Sequence, residues 1–420
     1  MKLEWFHLMP YPELPEDFPE KYRSVWVDVP AELYDPSVGH RAYHEYLDEF
    51  LVADELGFDG ICVNEHHQNA YGLMPSPNLM ASILARITTR AKVVVMGNSA
   101  ALYNPPTRVA EEMAMIDVLS GGRLVAGFPV GTAMDSIFSY GVPPAVLRDK
   151  YYEAVKLILR AWEEPEPFAF DGRYTQLRYV NIWPRPVQKP RPPVWIPGGG
   201  SVETWQWCLE HDFLYAYLSY FGKEAGIRTM EGFWETAERL GVDRNPYRAA
   251  FLQFVGVADS DAEAERLYAE PALYFYNRCM HIPTGFTAPP GYASEASARR
   301  QMESQVLAAA RASRHELTWT DIVDRGYVIA GSPDTVVERI IDVADTLNVG
   351  HLMLLLHFGN MKRDVVDTNT RRFAAEVMPK LRDHFGEWDD RWWPTDTLGE
   401  LANAKSVPAN TEPANTVAGH

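Results

Sequence analysis

Short runs of β-branched and aromatic residues alternate with longer segments of helical period along most of this chain, and that alternation narrows its possible folds more than any other feature. Strands are predicted at Leu3 to Leu8, Asp59 to Val63, Lys92 to Met96, Arg123 to Gly127, Val194 to Pro197, Phe213 to Leu218, Ala250 to Val257 and Leu352 to Leu356. Helices fall between them. One carries Tyr43, Leu47, Phe50, Leu51 and Asp54 to Leu56 and ends at Gly57; others cover Pro77 to Thr89, Pro106 to Leu119 before Ser120-Gly121-Gly122, and Ala145 to Trp162. Strand followed by helix at this spacing requires right-handed crossovers and a parallel sheet. About eight such units predict an α/β fold of the closed (β/α)8 TIM-barrel kind rather than an open sheet.

A barrel of this type needs roughly 250 residues, and the chain has 420. The surplus is assigned to insertions in a single domain over 1–385, near 10–36 and 281–296, and to a tail over 386–420. The first insertion follows the first strand, at the end of a barrel that carries active sites. The second is rich in glycine and proline and is expected to be a mobile lid. The tail opens with Trp388, Trp392 and Trp393, expected to pack on a surface, and its last fifteen or so residues are expected to be disordered.

The formal charge of −18 opposes binding to a phosphate backbone or an anionic membrane. Three cysteines, Cys62, Cys208 and Cys279, have neither zinc-site spacing nor the density of a disulfide framework. No run approaches the roughly 20 apolar residues of a membrane span, and the start of the chain lacks signal-peptide character. The expectation is a soluble cytoplasmic protein that binds no metal.

Three constellations carry chemistry. Asn64-Glu65-His66-His67 directly follows an apolar strand, where a barrel places catalytic groups, and imidazole is the side chain most easily poised near neutral pH. Asn64, Glu65 and His66 are the catalytic candidates. The alternative is that one histidine caps the next helix and the other is a satisfied structural residue. Gly97-Asn98-Ser99 ends another strand in small and hydrogen-bonding residues that would let a flat ring approach the backbone. Gly198-Gly199-Gly200-Ser201 lies between a strand and a helix, so that backbone N–H groups and the helix dipole face an anion. It lacks both the Walker lysine and the dinucleotide spacing. The alternative there is a tight turn with a serine N-cap.

Taken together, Gly57-Phe58-Asp59-Gly60 leading to Glu65-His66-His67, Pro106-Thr107-Arg108, the run Ile116 to Arg123, the Pro/Gln-rich approach to Gly198–Ser201, and Gly331-Ser332-Pro333-Asp334-Thr335-Val336 resemble the bacterial luciferase-like flavin monooxygenases across residues 55–385. The resemblance implies a TIM barrel that binds reduced FMN supplied by a separate flavin reductase. It implies use of O2 through a flavin C4a-peroxide to oxygenate an apolar or aromatic small molecule. His66 would stand by the flavin, and Gly97, Asn98 and Ser99 would lie beneath the ring, where the family often has a non-proline cis peptide. Gly199, Gly200 and Ser201 would hold the phosphate. A homodimer or higher homo-oligomer is a family-level expectation.

Two departures matter. Luciferase has a reactive cysteine and a phosphate-contacting arginine after the fourth strand, and the matching positions here are Pro129 and Val130. Light emission is therefore not expected, and the phosphate needs another cation, for which Arg148 is the candidate. Competing readings are a deazaflavin-dependent hydride-transfer oxidoreductase of the same superfamily and a non-catalytic flavin-binding protein.

Overall fold

The computed structural model describes residues 1–287, 289–295, 297, 317–395 and 398. Its strands are β1 (Lys2–Phe6), β2 (Gly60–Val63), β3 (Lys92–Val95), β4 (Leu124–Gly127), β5 (Phe168–Asp171), β6 (Gln176–Val180), β7 (Val194–Gly198), β8 (Leu214–Tyr217), β9 (Ala249–Val257), β10 (Val328–Gly331) and β11 (His351–Leu355). Eight of them close a parallel barrel in the order β1-β2-β3-β4-β7-β8-β9-β11 and back to β1. Trp5 pairs with both Ile61 and Leu354 across the closure. Because helices cover the outside and side chains fill the inside, strands such as β2, β4, β9 and β11 are buried along their whole length.

Helix boundaries follow local chemistry. Asp35 accepts from the Ser37 amide at 2.7 Å to start the helix Pro36–Leu56, and Gly57, at φ +87°, ends it in a left-handed conformation that costs a glycine little. The helix begins several residues before its amphipathic pattern does, because Pro36 at its first turn fixes φ without losing a needed donor.

Two elements depart from the sequence expectation. β10 is a ninth strand: the first part of β9 pairs with β8, and its last part, Phe254 to Val257, pairs with β10. Four residues between two helices give too short a pattern to read as a strand. β5 and β6 form a separate antiparallel hairpin, mostly exposed along β6, and so carry no core-forming run.

The tail does more than lie on a surface. Trp392 is buried, the Trp195 indole donates to its carbonyl at 3.1 Å, and its own indole donates to the Asp212 carbonyl at 3.0 Å. Trp393 packs beside Trp195 and His351. Together they close the barrel end opposite the strand C-termini. His351 is buried there, with Glu4 Oε1 2.8 Å from Nδ1 and Asp390 Oδ2 3.3 Å from Nε2. Burial alone would lower its pKa, but the two carboxylates outweigh that and raise it to about 9. The residues expected to be disordered lie outside the described residues. Among the described residues, no helix is long and apolar enough to cross a membrane.

Candidate functional site

The C-terminal ends of the barrel strands open on a cavity of about 430 Å³. Asn64, Glu65 and His66, carried there by β2, all line it. The Asn64 side-chain amide donates to the His7 carbonyl at 3.1 Å. Its Oδ1 is buried and finds no partner among the described residues.

Glu65 is saturated. Oε2 accepts from the Ser99 amide at 2.6 Å and from Asn98 Nδ2 at 3.3 Å, while Oε1 accepts from the Tyr103 hydroxyl at 2.7 Å and faces His67 Nε2 at 2.8 Å. It thereby ties the end of β2 to the loop after β3. His67 is outside the lining, held by Glu65 and packed on Tyr140.

His66 stands against an aspartate that sequence reasoning missed. Its Nδ1 is 3.1 Å from Asp135 Oδ2. Asp135 also accepts from the His67 amide at 2.9 Å and from the Thr132 hydroxyl. Burial pushes the Asp135 carboxyl up, but His66, Thr132 and the His67 amide together hold it below its ordinary value. The available signal was its place: an acid a few residues beyond β4, on the loop at the active-site end of a barrel strand. Trp26, from the first insertion, stacks near His66 with ring centroids 5.8 Å apart, and Tyr71 meets His66 edge-on at 4.7 Å.

The strand end after β3 behaves differently from expectation. Gly97 and Ser99 line the cavity but Asn98 does not; it is fully buried between Asn78 and Glu65. A Cβ on Gly97 would meet Pro129 Cδ at 2.1 Å and the Gly127 carbonyl at 2.8 Å, so packing already demands glycine there. The cis peptides among the described residues are Asn104-Pro105, Trp183-Pro184 and Lys189-Pro190, with none at 97–99.

At the far end of the cavity lie Gly198, Gly199, Ser201, Thr204 and Arg148. A Cβ on Gly199 would meet nothing within 4 Å, whereas Gly200 turns away from the lining at φ +103° with Thr229 against it. Ser201 precedes the helix Val202–Glu210 but makes no capping bond; its hydroxyl donates to Glu203 at 2.7 Å. Ser201 thus leaves the first-turn amides uncapped, and the Glu203 carboxylate lies among them and accepts from its own amide. Arg148 donates to the Thr204 hydroxyl at 3.0 Å, which places the candidate cation beside the glycine loop.

Both insertions meet over the cavity. The Val25 amide donates to the His281 carbonyl at 3.0 Å, and Arg23 lies over the Phe286 ring at 4.6 Å. Thr287, Tyr292 and Ala293 line the cavity from the second insertion, and Ser297 does so directly after it. Tyr292 donates to the Gly131 carbonyl, and Ser294 and Ser297 both donate to Glu203. Burial raises the Glu203 pKa, but these hydroxyls and that of Ser201 outweigh it, bringing the pKa to about 2.

His7 and His281 lie outside the lining. His281 faces the Tyr22 carbonyl at 2.9 Å. His7, Glu49 and His357 form the only described group of possible metal donors within 4.8 Å of one another. However, His7 Nδ1 accepts from the Met9 amide, so the neutral ring carries its proton on Nε2, facing Glu49 at 3.2 Å. Burial and the neighbouring His357 lower the His7 pKa to about 4 against the raising effect of Glu49. This cluster is a buried carboxylate held between two imidazoles.

The family model described as "Luciferase-like monooxygenase" matches residues 25–348. Among curated relatives, 2,5-diketocamphane 1,2-monooxygenase 1 of Pseudomonas putida is 24% identical, covering 79% of this chain and 92% of its own. The F420-dependent glucose-6-phosphate dehydrogenase of Microbacterium testaceum is also 24% identical, covering 81% and 94%. Among solved structures, the oxygenating constituent of 3,6-diketocamphane monooxygenase from Pseudomonas putida, a type II Baeyer–Villiger enzyme in complex with FMN, superposes with a TM-score of 0.68 at 21% identity, covering 90% of this chain and 98% of that one. With its closed parallel barrel and its cavity at the strand C-termini, the chain belongs to the luciferase-like monooxygenase family of flavin-dependent enzymes.

Proposed function

We propose that the cavity binds reduced FMN, delivered by a separate flavin reductase, and that the enzyme oxygenates an apolar or aromatic small molecule. The observation that carries this reading is continuity: one cavity runs from a glycine-serine loop with an adjacent arginine to an imidazole–carboxylate pair walled by aromatic rings. The residues fit the cofactor. Arg148 offers charge to a phosphate, and the glycine-serine loop and the amides that Ser201 leaves uncapped offer N–H donors. The orphaned Asn64 Oδ1 offers an acceptor to a ring N–H.

Bound reduced FMN would supply two electrons to O2, so that one oxygen atom enters the substrate and the other leaves as water. The chain's part is to bind, orient and protect. Asp135, an acceptor, holds the proton of His66 on Nδ1 and leaves Nε2 to take up or return a proton in the cavity. Glu65, its oxygens already engaged, positions the loop after β3. Trp26 and the crossing insertion exclude water.

The separate reductase is supported by the relative described as an oxygenating constituent. Six large apolar side chains exposed on two neighbouring helices, Leu79, Ile83, Ile87, Met115, Val118 and Leu119, support assembly with a second copy of the chain. The cytoplasm is the proposed compartment. The second reading, hydride transfer from a reduced deazaflavin, draws on the F420-dependent relative.

FMN binding tests the cradle. Gly199→Asp puts a carboxylate into open space beside the phosphate position and is expected to abolish binding measured by flavin fluorescence. Arg148→Ala is expected to weaken it by about 10- to 100-fold, as for loss of a charge-assisted hydrogen bond. Unchanged affinity in both variants contradicts the assignment.

A further inference from the structure

We propose that the paired hydroxyls of Tyr71 and Tyr220 form a donor subsite for the carbonyl oxygen of a neutral, apolar substrate. The proposal rests on reading the cavity as an oxygenase site and names the substrate class for it.

Tyr71 donates to the Tyr220 hydroxyl. Two phenols bring two protons, and their mutual bond uses one. Among the described residues neither hydroxyl has another partner, since the Tyr276 hydroxyl donates to backbone carbonyls, those of Tyr220 and Tyr327, and not to the Tyr220 hydroxyl. Both side chains line the cavity, so the second proton is offered there. Accepting a hydrogen bond from Tyr71 makes Tyr220 the stronger donor.

The surroundings define what takes that proton. Tyr71 packs against Trp26 at 4.9 Å, and Tyr220 against Phe275 at 5.6 Å and Phe254 at 5.9 Å. Leu218 and Phe6 complete an apolar wall. Arg148, the only lysine or arginine among the described lining residues, bonds Thr204 at the phosphate end. The field of Asp135 reaches Tyr71. A carboxylate or sulfonate substrate would find no countercharge here and would meet a negative neighbour. Burial lifts both phenols above their ordinary pKa, Tyr220 to about 12, so they remain protonated donors at neutral pH. A donor in an apolar wall suits an oxygen that has lone pairs and no proton of its own. The Tyr71 ring touches His66, so a carbonyl held there lies beside the reacting end of the cavity.

The test uses the flavin-free full-length chain and three small probes of one shape: cyclohexanone, cyclohexanol and methylenecyclohexane. In the double variant Tyr71→Phe/Tyr220→Phe, cyclohexanone affinity is expected to fall by about fivefold, the worth of one neutral hydrogen bond. Methylenecyclohexane affinity is expected not to fall, and cyclohexanol to lose less than cyclohexanone. In the wild type, the infrared C=O band of bound cyclohexanone is expected below its frequency in cyclohexane solution, a readout that needs no variant to fold. An unshifted band, an unchanged ketone affinity, an equal loss for ketone and hydrocarbon, a larger loss for the alcohol, or no binding of any probe overturns the proposal. Because no flavin is present, failure of FMN binding or of oxygen uptake leaves this result standing, and the reverse holds as well.

Discussion

His66 and Asp135 are 3.1 Å apart, and their pairing sets which ring nitrogen carries the proton. Asp135→Asn keeps the shape and removes the charge. Asparagine can present its amide to Nδ1 and reverse the tautomer, so turnover is expected to drop by at least about tenfold. Asp135→Asn added to His66→Ala is expected to cost little more than His66→Ala alone, because the aspartate acts through the imidazole. A further loss as large as that of Asp135→Asn by itself would make Asp135 merely structural. His66 was legible because imidazoles stand directly after a strand. Asp135 was not, because its approach depends on an irregular turn over Met134–Ser139 that no periodicity announces. Gly97 was legible as small but not for its reason, which is Pro129 packed against it.

Between elements, the second insertion is fastened across the cavity at one carboxylate. Glu203 gathers hydroxyls from Ser201, Ser294 and Ser297. Its folded pKa of about 2 lies below the ordinary value for a glutamate, so this contribution is complete above about pH 4.3 and is lost as pH falls through about 2. Glu203→Gln is expected to loosen the fastening without unfolding the barrel. Hydrogen exchange around Tyr292 and Ser294 should quicken severalfold, while exchange in β2 and β3 should not change. The barrel strands were legible to within a residue or two because each is a largely buried run of β-branched, aromatic or other apolar residues. β10 was hidden by its brevity, and the β5/β6 hairpin by its exposure.

The whole molecule carries a charge of −18, yet its barrel floor holds a buried cation. His351 has a folded pKa raised to about 9, so it favours the folded state fully below about pH 6.5, and that stabilisation is lost as pH rises through about 9. The burial-raised pKa of Glu4 acts in the same direction. Melting temperature is therefore expected to fall between pH 6.5 and 9, and His351→Gln should flatten that slope while lowering stability at pH 6. Trp392→Ala, which opens the same floor, is expected to cost about 3–5 kcal/mol. The tail's aromatics were visible in the sequence, but their docking site joins residues nearly 400 positions apart, as Glu4 and Asp390 show, and chain-local patterns do not report such contacts. The central claim concerns reduced FMN and O2. Its most direct test is oxygen uptake with photoreduced FMN, the full-length chain and a panel of neutral carbonyl and aromatic compounds under 18O2, with no reductase of its own. Substrate-dependent uptake that places one labelled atom in the product and is lost in His66→Ala is the predicted result. Turnover of the same panel with reduced deazaflavin and no oxygen consumption would contradict it.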